Sequence, residues 1–170
     1  MANNIPLKLT NFNLFIEGKG FAGIVTKATL PKITQKMSEH RGGGMMGVRK
    51  YSMGLEALEA SFTLASFEPE PFRLMGLRKD GPAGLILRGA LQHYQEAIPL
   101  IATIRGMVSE IDMGDMEMGG ETSMNFKVDV VYYKLVRGVE TLVEIDIDNN
   151  VERYGDIDTQ EVIRNILKIS

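Results

Sequence analysis

The sequence contains no cysteine, which removes a disulfide framework, a thiolate nucleophile and any cysteine-based zinc site together. That composition fits a chain made in the cytosol. Only two histidines are present, His40 and His93. Neither has a second ligand at metal-binding spacing and no H-E-x-x-H motif occurs, so each reads as a surface or interface histidine. No G-x-S-x-G elbow presents a serine nucleophile. Clustered basic charge is lacking too: the formal net charge is -3, whereas sequence-independent binding to DNA needs Lys and Arg to neutralise phosphates. Nowhere do eighteen apolar residues run together, and "MANNIPLKLTNFNLFIEGKG" lacks the basic start, apolar stretch and small-residue cleavage site of a signal peptide. The expectation is neither export by that route nor a membrane-spanning helix. Together these absences predict a non-enzymatic protein with no cofactor and no metal.

What the sequence does contain is period-two alternation, the signature of half-buried strands. At 170 residues the chain is expected to form one domain, 1–170, with a core large enough to need no staples. Between Leu58 and Phe67, Leu58, Ala60, Phe62 and Leu64 face one way and Glu59, Ser61 and Thr63 the other. "GLILRGALQHYQEAIPLIATIRGMVSEID" supplies two more strands joined near "YQEAIP". In "SMNFKVDVVYYKLV" the apolar face reads Met124, Phe126, Val128, Val130 and Tyr132, against Asn125, Lys127 and Asp129. Arg137-Gly138 then turns the chain into "ETLVEIDI". "FNLFIEG" and "FAGIVTKATL" around "EGKG" predict another hairpin. Two stretches read as helical. "EPEPFRLMGLRKD" opens on prolines, puts Phe72, Met75 and Leu77 on one side and ends at Lys79 to Gly81. "DTQEVIRNILKIS" begins on an Asp-Thr cap candidate and is long enough for two turns.

Two loops carry the unusual composition. In "HRGGGMMGVRK", Gly42, Gly44 and Gly47 fall on the G-x-G-x-x-G spacing of phosphate-binding loops. A polar segment precedes them and a β-type alternation follows, where a phosphate cradle needs a buried strand and then a helix. A glycine-rich connection between strands is the better reading. It carries Arg41, Gly42, Gly43, Gly44, Met45, Met46, Arg49 and Lys50, and the long loop around it, about 38–54, is expected to project for assembly. The second loop, "SEIDMGDMEMGGE", sets Asp112, Asp115 and Glu117 among Met113, Met116 and Met118. Its carboxylates do not follow the EF-hand order. Methionine adapts to many partner surfaces and is seldom left bare in bulk. One loop is basic and apolar and the other acidic and apolar, so copies of the chain could meet through them head to tail, in a ring or filament.

Over nearly its whole length the sequence resembles the tail tube proteins of contractile-tailed bacteriophages and of R-type pyocins. The matching blocks are "TNFNLFIEGKGFAG", "LPKITQKMSEHRGGGM", "MGLEALEASF", "ATIRGMVSEIDMGD", "YYKLVRGVETLVEIDIDNNV" and the terminal "RNIL". The resemblance implies a mainly β fold, an antiparallel β-sandwich or barrel-like tail tube domain with one short helix and a short C-terminal helical turn. It further implies homo-hexameric rings that stack into a tube, with the 38–54 loop in ring-to-ring contact. The implied partners are a sheath protein, a tape-measure protein inside the tube, and baseplate and tail terminator proteins. DNA would pass through the lumen without specific binding. The implied location is the virion tail, assembled in the host cytoplasm. Glu59, Ser61, Thr63, Asn125 and Asp129 are candidates for the lumen wall, because a passage for DNA should avoid clustered positive charge. The tubes of pyocin-like particles and type VI secretion systems are the alternative setting. A small-ligand β-barrel binding protein is the alternative of another class.

Overall fold

The computed structural model describes residues 5–169 and is built almost entirely from antiparallel strands. β1 (Lys8–Ile16) turns through Glu17 and Gly18, at φ 48° and 85°, into the two-residue β2 (Lys19–Gly20). Positive φ at both central residues is the hairpin geometry that matches strand twist. β3 (Val25–Thr29) follows, then β4 (Gln35–His40), β5 (Arg49–Leu55), β6 (Leu58–Leu64) and the short helix α1 (Pro69–Arg73). The remainder is a meander: β7 (Ala83–His93), β8 (Glu96–Asp112), β9 (Met124–Arg137), β10 (Glu140–Asp146), β11 (Val151–Tyr154) and β12 (Ile157–Asp158), closed by helix α2 (Glu161–Leu167).

The main sheet runs β12-β11-β10-β9-β8-β7-β1-β2, and β6 joins it by pairing with the first half of β9 while β3 pairs with β6. The second half of β9 pairs with β10. β8 and β9 are therefore common to two lobes. Inward residues of both lobes enter one core, which includes Leu14 and Ile16 of β1, Leu58, Ala60, Phe62 and Leu64 of β6, Leu85 and Leu87 of β7, and Ile104 and Val108 of β8. For strands so far apart in the sheet to share a core, the sheet must fold over on itself. It stays open, because no ladder joins β3 to β1 among the described residues. At the centre the rings of Phe62 and Phe126 lie 5.4 Å apart and tilted.

The expected alternation holds in β6 and in β9 as far as Val130, and then reverses. Arg105 pairs with Tyr132 and Gly106 with Val130, so Val131 has no partner across the ladder. A one-residue bulge exchanges the two faces beyond it. Tyr133, not Tyr132, is therefore the buried tyrosine, 2% exposed, with burial pushing its phenol up to about 12. Tyr132 faces outward, donates to Glu144 at 3.1 Å and lies beneath the Arg105 guanidinium.

Three other expectations change. Residues 21–30 do not return along β1: β1 takes β7 as its partner and β3 goes to β6. The first helix is a single turn ending at Arg73, and it turns Pro71 and Leu74 inward while Phe72 and Met75 are about half exposed and Leu77 almost fully so. Gly76 N-H then donates to the Val108 carbonyl at 3.0 Å, which ends any helical spacing through Leu77. The segment expected as a 38–54 loop is mostly paired, since β4 and β5 form a two-stranded sheet of their own and leave only residues 41–48 as its tip. In the tail, α2 lies where the sequence predicts helix. Asp158 serves it from just before the N-terminus, accepting from Gln160 N-H at 3.0 Å and from both guanidinium nitrogens of Arg164 at 3.0 and 2.6 Å. Those bonds, first of all from Arg164, hold the Asp158 carboxyl down at about 2.

Candidate functional site

The β4–β5 hairpin is an arm. Both strands are exposed over most of their length and, among the described residues, pair only with each other. Exposure on both faces explains why no clean alternation marks them in the sequence. At the tip, Met45 and Met46 separate. The Met45 sulfur accepts the Gly42 N-H at 3.1 Å and shapes the turn, whereas Met46 is fully exposed. Gly44 sits at φ 81°, a conformation that glycine supplies without strain. Arg41, Arg49 and Lys50 are exposed around it, with Arg49 over the ring of Tyr51 and Lys50 3.7 Å from Glu39. No helix leaves the glycines, and β5 follows in its place. The arrangement that holds phosphate at a helix N-terminus is absent at this loop.

The foot of the arm is fastened in two ways. Leu55 packs against the core, and the Glu56 N-H donates to the Thr34 carbonyl at 2.8 Å. Beside them Gln35 donates through Nε2 to Glu152 at 2.7 Å and accepts from Ser52 Oγ. Glu152 is a buried carboxylate, 6% exposed, on β11. It also accepts from Tyr154 Oη at 2.9 Å and Gln160 Nε2 at 3.0 Å. Burial, and then the bond to Glu152, push the Tyr154 phenol up to about 12. These residues leave no local motif, because Gln35 and Glu152 are 117 positions apart.

The acidic loop joins β8 to β9. Asp112, Asp115, Met116, Glu117 and Met118 are exposed, Met118 fully, while Met113 is half-buried. Asp112 accepts the Gly114 N-H at 2.8 Å, and Thr122 Oγ1 donates to the Ala65 carbonyl at 2.7 Å, tying the loop to the end of β6. The arm leads into the other end of β6, at Leu58. Arm foot and acidic loop are thus separated by the length of that strand, roughly 20 Å for seven residues.

All five lumen candidates lie on one face of β6–β9, opposite the core. Glu59 pairs with Asp129, Ser61 with Lys127 and Thr63 with Asn125. On β8, Glu110 pairs with Lys127 and Asp112 with Asn125, and on β3, Lys27 pairs with Thr63. Four carboxylates and two ammonium groups therefore share this face. Lys127 Nζ is 2.9 Å from Glu59, and that hydrogen bond, reinforced by the neighbouring carboxylates, raises the lysine above its ordinary range.

The model of the phage tail tube protein FII family matches residues 6–167. The tail tube protein of Escherichia phage P2 is 30% identical over 163 residues, 92% of this chain and 94% of that protein. The major tail tube protein of Serratia phage KSP20 is 32% identical over 151 residues, 85% of each. Among solved structures, a chain of the sheath-tube complex of PVC, an extracellular contractile injection system, in its extended state has a TM-score of 0.61 at 10% identity, covering 79% of this chain and 94% of that one. A chain of the anti-feeding prophage cap, a tube-terminating structure, has a TM-score of 0.63 at 10% identity over 80% and 94% of the two chains. These two likenesses are of fold. The sequence matches carry the assignment: the chain belongs to the phage tail tube protein FII family, whose members are structural components of the virion tail and not enzymes.

Proposed function

We propose that copies of this chain form hexameric rings that stack into the inner tube of a contractile phage tail, and that the β4–β5 arm of one ring meets the acidic methionine loop of the next. The observation that carries this reading is the placement of the two surfaces. A basic, methionine-tipped arm springs from one end of β6 and an acidic, methionine-rich loop is tied to the other. Complementary surfaces at opposite ends of a subunit make a head-to-tail contact, which propagates along an axis. The face with Glu59, Ser61, Thr63, Asn125 and Asp129 lines the lumen, where its excess of carboxylates lets DNA pass without being held. A sheath around the tube, a terminator and a baseplate at its ends and a tape-measure protein within it are the partners. Chains of like fold in the PVC and anti-feeding prophage structures sit in a sheath-tube complex and a tube-terminating cap, which supports the first two.

The test separates the two methionines. Met46→Asp places a charge where the contact would exclude water and leaves the subunit's own packing untouched, since the side chain is fully exposed. The expected result is a folded subunit, by circular dichroism, that yields no long tubes in negative stain under conditions where wild type polymerises. Long tubes from the variant overturn the role of the arm. A wild-type chain that stays monomeric at every concentration overturns tube formation itself.

A further inference from the structure

We propose that Gln35 and Glu152 are positioning residues that hold the arm in one direction in the free subunit, so that it is ready for the next ring before the ring arrives. This rests on the reading that the arm makes the inter-ring contact. A two-stranded ribbon that, among the described residues, has no other strand beside it can swing about the point where Leu55 meets the core, and a lever of six residues is about 20 Å long. A swing of some 20° at the foot carries the tip about 7 Å, more than a side-chain contact tolerates. Among the described residues, the side-chain hydrogen bonds that join the arm to the rest of the molecule all pass through Gln35, and they end on the buried Glu152.

The local backbone is built around that bond. Gln35 pairs with Leu55 and Met37 with Ser52, so β5 carries an extra residue at Met53-Gly54, and Gly54 sits at φ 99°. This bulge lies at the foot, where a bulge re-aims a strand. It lets Ser52 Oγ reach Gln35 Oε1 and orient the amide, leaving Nε2 directed at Glu152. Tyr154 and Gln160 also donate to the carboxylate, so Glu152 is itself held on β11 and at the start of α2. The arm is thereby referred to the C-terminal part of the fold rather than to β6, its neighbour in sequence. If the loosened arm spends only about a tenth of its time in the competent direction, the apparent affinity of the contact falls about tenfold.

The experiment exchanges the two groups. With no native cysteine, Ser38→Cys on the arm and Val139→Cys on the exposed β9–β10 turn accept a spin-label pair specifically. Pulsed dipolar spectroscopy on the unassembled subunit then reads the spread of arm positions. Gln35→Glu alone opposes two carboxylates and should broaden the distance distribution. The same change combined with Glu152→Gln restores an amide-carboxylate pair with donor and acceptor reversed, and should narrow it again. In unlabelled protein, the critical concentration for tube formation should rise about tenfold in the single variant and return in the exchange. A distribution that does not broaden in Gln35→Glu, or does not recover in the exchange, refutes the latch. A distribution that broadens while assembly is unchanged refutes the contact role of the arm.

Discussion

Alanine at Gly106 would put a methyl carbon 2.1 Å from the Asp129 carbonyl oxygen and 2.9 Å from both the Asp129 carbonyl carbon and a methyl of Val128. A carbon and a carbonyl oxygen rest no closer than about 3.3 Å, so β8 and β9 would have to part by about 1.2 Å at this point. The obstacle is backbone and cannot rotate aside. Overpacking of this kind costs roughly 1–3 kcal/mol, and two ladder hydrogen bonds stretched beyond use add about 1 kcal/mol each. The expected loss is thus about 3–5 kcal/mol, a large share of the 5–15 kcal/mol that is usual for a domain. In urea titrations followed by circular dichroism the midpoint should fall by about 1.5–2.5 M for a slope of ~2 kcal/mol per molar. Gly84→Ala is the matched control, in a neighbouring strand, with nothing within 4 Å of the added carbon. It should move stability by less than about 0.5 kcal/mol. Equal midpoints for the two variants would refute the reasoning, because the bulge would then not depend on a bare Cα at 106.

Phe62→Ala removes a ring that is 1% exposed and packed on Phe126, and the same titration should show a loss of about 3–5 kcal/mol. Asp158 is held at about 2 in the folded chain, below its ordinary 3.8, so its contribution is complete above about pH 4 and is lost as pH falls towards 2. Wild type should therefore lose more stability than Asp158→Asn between pH 5 and pH 2.5, and parallel curves would contradict this. Replacing Glu59 and Asp129 together by lysine should leave tubes that retain short duplex DNA at low salt and release it at high salt. Equal retention by wild-type tubes would remove the lumen assignment.

Strands whose two faces meet different surroundings were legible in the sequence: Leu58, Ala60, Phe62 and Leu64 alternate because one side is core and the other is water. The reversal in β9 was not, since one unpaired residue, Val131, leaves no compositional trace, and the close approach that accommodates it is made at a glycine on another strand. Local turn chemistry misled at "EGKG", where the turn is real but β2 lasts only two residues before the chain leaves for β6. In the first helix the prolines were a sound start signal, yet one turn is too short for i, i+3 spacing to predict a face. The arm showed its charge and its methionines but not its pairing, because both of its faces are wet. Its anchor on Glu152 is a contact across most of the chain, and no window of sequence contains both partners.

The pairing of early strands with late ones also sets an order on synthesis. β1 pairs with β7 and β6 with β9, Leu14 opposite Leu87 and Leu58 opposite Val130, each about 70 residues apart. At roughly 5–20 residues per second, the apolar faces of β1 and β6 wait about 4–15 s for partners that have yet to be translated. From β8 to β12 every strand pairs with the one made just before it. That half can zip up as it emerges. The N-terminal half is the longer-lived aggregation hazard on the ribosome, and it ends only with β9, whose arrival gives β6 its second neighbour beside β3 and brings Phe126 onto Phe62.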